Sequence, residues 1–307
     1  MNMNETLIMV ATMLAPAFFS LLGMAAFGSP VVAVLGEIAA KAKKRVFYDK
    51  YGQQTSSMGL ILLILTLVVC GAGVGIAFAK FPEFIKKFIN PTSPLKYAFI
   101  GMGVFALFTF IHSLSWKKMR SAKGFHIVLG LIAALGGLAA VTIAVPAKLL
   151  IGQTAADPAQ AAYNAQALQL PMAIMYAILT IAAAAGLSCA YLVLRRNKDD
   201  FGRDYYNFTL KLAARWAAIP MVGFLACQGW MFATLPESFK TMTMGTPLGF
   251  VWAGATAIGA ICTILWLIIA RSAAPLQLKG LTFLAALLMW LMHALNVTLF
   301  MNFMSMF

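Results

Sequence analysis

The chain has 307 residues, of which 62% are hydrophobic and only 10% charged; soluble domains run nearer roughly 45–50% and 25%. No water-soluble core hides that much apolar surface, so the composition excludes a soluble globular domain and requires lipid as the solvent for much of it. The net charge of +14 sits in short basic clusters between apolar runs, which is the pattern that orients a membrane protein rather than a nucleic-acid surface.

Apolar stretches long enough to cross the hydrocarbon recur along the whole chain. The first covers 7–40. No basic region precedes it and no small-residue cleavage site follows it, so it reads as a retained helix, not a secretory signal. It carries Pro16 and Gly28-Ser29-Pro30, which predict a kink or a short interfacial piece before Lys41. A second span follows at 57–80. Segment 81–95, with Pro82, Pro91 and Pro94, reads as an interfacial loop on the outer side. Further spans are predicted at 96–116 and 125–148. An outer loop at 149–169, rich in Ala and Gln, leads to spans at 170–195, 206–233, 247–270 and 280–304. The reading is an all-α polytopic membrane helix bundle of about eight transmembrane helices. No P-loop, GxGxxG turn, catalytic triad or zinc-protease motif is present.

Lysine and arginine counts orient the bundle. One set of loops and helix ends holds 17 of them, at 41–50, 117–123, 195–215 and 271–279; the other holds six, Lys80, Lys86, Lys87, Lys96, Lys148 and Lys240. The richer side is expected to be cytoplasmic, with both termini outside, in a bacterial inner membrane. The chain also echoes itself at a spacing of 153–158 residues. Pro16 is matched by Pro171, Arg45–Asp49 by Arg203–Asn207, and Phe78–Glu83 by Phe232–Glu237. Pro94-Leu95 is matched by Pro247-Leu248, and Lys123-Gly124 by Lys279-Gly280. Each match falls at the same place in the helix order. The expectation is two four-helix parallel repeats, 1–155 and 156–307, related by an axis along the membrane normal.

Three histidines are the sharpest candidates for chemistry. His112 ends the third span and His126 opens the fourth, so both lie roughly 4–6 Å inside the same boundary. Two histidines at one depth on neighbouring helices can grip a b-type haem or a metal, and Lys117, Lys118, Arg120 and Lys123 beside them can neutralise haem propionates. Gly130 and Ala106, near one turn further in, would leave room for a macrocycle. The plainer reading is hydrogen bonding to water, headgroups or loop carbonyls. His293 lies roughly 20 Å from the cytoplasmic end of the last span. It can ligate a cofactor, shuttle a proton, bond a quinone carbonyl or donate to a carbonyl on a neighbouring helix. Arg215 beside Trp216 reads as interfacial belt, or as a contact for a quinone headgroup or acidic lipid. The nine carboxylates, Glu37 among them, all read as lying at ends or in loops, which weakens a proton-coupled transporter. The cysteines, Cys70, Cys189, Cys227 and Cys262, lack metal-ligand spacing and read as packing residues.

Tyr48-Asp49 after Lys43-Lys44-Arg45, with the His112…His126 pair and the four-plus-four plan, resembles bacterial membrane b-type cytochrome subunits. These are similar to subunit I of cytochrome bd quinol oxidases. The resemblance implies a membrane subunit of a respiratory or redox complex. Such a subunit exchanges electrons between quinone, a b-type haem and a partner redox subunit, a cytochrome c or an iron–sulfur protein. The quinol-loop motif of bd oxidases is absent, so oxygen reduction is not implied. The rival reading is a cofactor-free transporter or structural membrane subunit.

Overall fold

The computed structural model describes residues 2–83, 86, 93, 95–151, 158–199 and 201–306. Among these, eight helices are long and apolar enough to cross a membrane. They are α1 (Met3–Lys43), α2 (Val46–Lys80), α3 (Leu95–Ser115), α4 (Lys123–Ile151), α5 (Pro158–Asp199), α6 (Arg203–Thr234), α7 (Leu248–Arg271) and α8 (Lys279–Met306). No strand occurs among the described residues.

α1 starts with a capping box, in which the Asn2 side chain accepts from the Glu5 N–H and the Glu5 carboxylate accepts from the Asn2 N–H. It runs unbroken through Pro16 and Pro30 to Lys43, so the separate interfacial piece expected before Lys41 is not formed. Small residues let α1 approach its neighbours closely. A Cβ on Gly28 would meet the Thr180 backbone of α5, and one on Gly36 would meet the α2 backbone at Tyr48 and Gly52. Such contacts replace hydrophobic driving force in lipid.

α2 begins eleven residues before the expected span. Its first turns are polar, yet Tyr48, Tyr51, Gln54, Thr55 and Ser56 are buried. Tyr51 Oη pairs with Ser188 Oγ at 2.8 Å, Gln54 donates to Asp199 at 2.8 Å, and Tyr205 donates to Gln54. Bonds across to α5 and α6 therefore keep a polar segment helical and inside. Gly202, at φ 82, makes the turn between α5 and α6 that glycine alone enters freely. A short helix, Glu237–Met244, and a 3₁₀ turn, Pro275–Leu278, occupy links that the apolar pattern left as loops. Much of the 81–95 loop, residues 152–157 of the outer loop, and with them the expected boundary at 155, lie outside the described residues.

α1 to α4 pack in sequence and α4 returns to α1; α5 to α8 do the same. The two groups meet along α1 and α5, and α4 touches α5 as α8 touches α1. α3 and α7 open on Leu95 and Leu248, and α4 and α8 on Lys123 and Lys279. The main buried apolar cluster runs through α5–α8 and the adjoining face of α1, and a smaller one joins Ala26, Leu63 and Phe105. Leu114, Val68, Ile76 and Phe250 are exposed on the outside, as lipid-facing side chains are.

Candidate functional site

At the basic end of the first four helices, α1, α3 and α4 each send one polar side chain to a common point. They are Glu37, His112 and His126, all buried to within 1% of complete. His112 Nε2 lies 2.8 Å from Glu37 Oε1, and His126 Nδ1 lies 2.8 Å from Glu37 Oε2. His126 Nε2 lies 2.9 Å from the backbone oxygen of His112. The two imidazoles stack with centroids 4.3 Å apart and planes 27° apart. Trp116 stands edge-on to both, at 5.2 Å from His112 and 4.8 Å from His126. The cluster joins the surface through Lys123, whose Nζ is 3.0 Å from Glu37 Oε2 and 2.6 Å from Asp49 Oδ1. Deeper in, Ser56 Oγ lies 3.4 Å from His112 Nδ1 and 2.6 Å from Ser113 Oγ.

Hydrogen-bond arithmetic constrains this cluster. A carbonyl oxygen only accepts, so His126 Nε2 carries a hydrogen. The contact between His126 Nδ1 and Glu37 then requires a second proton, on the imidazole or on the carboxyl. The group therefore holds one proton more than an ionised Glu37 with two neutral histidines.

The expected haem between His112 and His126 does not fit. Two axial imidazoles stand on opposite faces of a macrocycle with iron between their nitrogens. Here the rings lie face to face, and three of the four ring nitrogens have partners within 2.9 Å. The space above Gly130 is filled as well: a Cβ there would meet Val34 at 2.4 Å and His112 Nε2 at 2.7 Å. Ala106 packs against the Ala26, Leu63 and Phe105 cluster. The composition of the group is nevertheless that of a metal site. Its three ligand atoms fall within 4.8 Å of one another, and it is the one such trio of His, Cys, Asp or Glu among the described residues.

Glu37 lies near the C-terminal end of α1, as expected, but is fully buried there rather than solvated. Its signal was present in the chain. It precedes Lys41 by four residues, as His126 follows Lys123 by three, so all three share one depth. Of the basic residues, Lys123 reaches the cluster, whereas Lys118 and Arg120 are exposed. Arg120 lines a separate cavity of about 680 Å³ with Lys50, Lys117 and Arg195. Arg215 is exposed on α6, and its neighbour Trp216 packs on Tyr51. His293 is buried in α8, and its Nε2 lies 2.8 Å from Ser20 Oγ of α1, a side-chain partner on a neighbouring helix. Ser20 lines an apolar cavity of about 420 Å³ with Phe19, Gly23, Thr66 and Cys70. Cys189, Cys227 and Cys262 are buried packing residues, and Cys70 is exposed.

No protein-family profile matches the chain, and no curated relative matches its sequence. A solved chain does match in three dimensions: one from the bd oxidase of Geobacillus thermodenitrificans. The TM-score is 0.72 over 98% of this chain and 88% of that one, at 12% identity. The fold is that of a bd oxidase chain. At this identity the likeness is one of architecture, and it bears out the resemblance to bd-type membrane subunits at that level. The bd oxidase fold thus frames two features of this chain, the Glu37 cluster at the basic end and the His293–Ser20 pair deeper in.

Proposed function

We propose that this chain is an integral membrane subunit of a respiratory or redox complex in a bacterial inner membrane. On this reading it works between membrane quinone and a partner redox subunit, a cytochrome c or an iron–sulfur protein. The observation that carries it is the bd oxidase fold over nearly the whole chain. The quinone part draws on the 420 Å³ cavity, which is apolar except for groups such as Ser20 and Thr66. Ser20 is held there by His293, and an apolar slot with few polar groups suits a quinone ring. A haem clamped by His112 and His126 forms no part of the proposal. One observation favours the alternative, a cofactor-free transporter: Glu37 is a fully buried carboxylate on a membrane-spanning helix, a group such proteins use.

The test is affinity purification of the tagged chain from its native membrane in mild detergent, followed by mass spectrometry. A co-purifying subunit that binds haem or an iron–sulfur cluster is the expected result. Recovery of this chain alone, or with soluble substrate-binding proteins only, contradicts the reading in favour of transport.

A further inference from the structure

We propose that Glu37, His112 and His126 bind one divalent transition-metal ion, reached from the basic side of the membrane. The site stands independently of the respiratory reading. Two imidazoles and a carboxylate are the ligand set that zinc, manganese and ferrous iron accept, whereas calcium and magnesium favour oxygen alone. The three side chains come from α1, α3 and α4, so a single ion ties three helices together.

The geometry needs little change. Neighbouring ligands about an ion with bonds of about 2.1 Å stand about 3.0 Å apart in an octahedron and about 3.4 Å apart in a tetrahedron. The two nitrogen–oxygen pairs stand at 2.8 Å. A haem needs the ring faces parted; an ion needs only the space between lone pairs. The outer contacts are those of a ligating histidine. His126 Nε2–H donates to the His112 carbonyl, which leaves Nδ1 for the ion. His112 presents Nε2 once its hydrogen moves to Nδ1, on the side of Ser56. Trp116 packs against both rings and resists their rotation.

An access route is present. A cavity of about 300 Å³, lined by Glu37, Ala40, Lys44, Asp49 and Lys123, opens above the carboxylate. Lys123 is the competing cation, because its ammonium lies beside the same Glu37 oxygen that faces His126. Its side chain is 23% exposed and already paired with Asp49, so it can stay with Asp49 while the ion takes its place at Glu37. The charge of the ion then replaces the extra proton that the cluster otherwise holds.

The experiment is equilibrium dialysis of the purified full-length chain, stripped with chelator, against Zn²⁺ and Mn²⁺, with metal content read by mass spectrometry. Wild type should take up one ion per chain. His126→Gln and Glu37→Gln should weaken binding by roughly tenfold or more. Lys123→Gln, at a partly exposed position, removes the competitor and should tighten binding. Thermal unfolding of each variant shows that it is folded. Three results overturn the proposal: no uptake by wild type, equal uptake by folded His126→Gln, or weaker binding by Lys123→Gln.

Discussion

Glu37 is the residue on which the cluster turns, because it hydrogen-bonds to two histidines and pairs with Lys123. Removing one partner from a buried charged group leaves the others unpaired in low dielectric, at a cost of about 3 kcal/mol or more. Glu37→Ala should therefore lower the thermal unfolding temperature sharply, and Glu37→Gln, which keeps the shape and one acceptor, should lower it less. Equal and small shifts for both would mean that the cluster contributes little to stability. The three residues were legible as a set by depth alone, since each lies within two turns of a basic cluster. What the chain does not disclose is rotation. α1, α3 and α4 are apolar on nearly every face, so periodicity does not say which way Glu37 or His112 points. The same limit bears on haem: spacing places two histidines at one level but says nothing of how their rings are turned toward each other.

Helix existence and order were legible because span length follows from membrane thickness. Helix ends were less so. The polar start of α2 remains helical because its side chains bond to α5 and α6, a tertiary effect invisible in local composition. The packing of α1 on α5 depends on glycine at one point. Gly28→Leu would drive a side chain into the Thr180 backbone, and overpacking of this kind costs about 1–3 kcal/mol. Gly73, with nothing near its missing Cβ, should accept Leu without loss. Yield and monodispersity of the two variants in detergent compare them directly, and equal behaviour would contradict the α1–α5 crossing. The exchanged contacts, α4 with α5 and α8 with α1, support the proposal of two parallel repeats. Superposing α1–α4 on α5–α8 about the membrane normal should then bring Pro82 near Pro236, and unrelated arrangements would refute it.

For the whole molecule, the division of basic residues proposes the cytoplasmic side, and the Glu37 cluster lies at that end beside Lys123. Reporter fusions at Lys118 and at the C-terminus should report opposite sides of the membrane, with Lys118 cytoplasmic; the same side for both would refute this topology. We propose that this chain, with the bd oxidase fold, joins its two neighbouring histidines to a buried carboxylate instead of to haem iron. A reduced-minus-oxidised visible spectrum of the complex purified through this chain tests it most directly, recorded for wild type and for the His112→Gln, His126→Gln double variant. The same haem absorbance per complex is expected in both, carried by the partner. Loss of a b-type band in the folded double variant would contradict it.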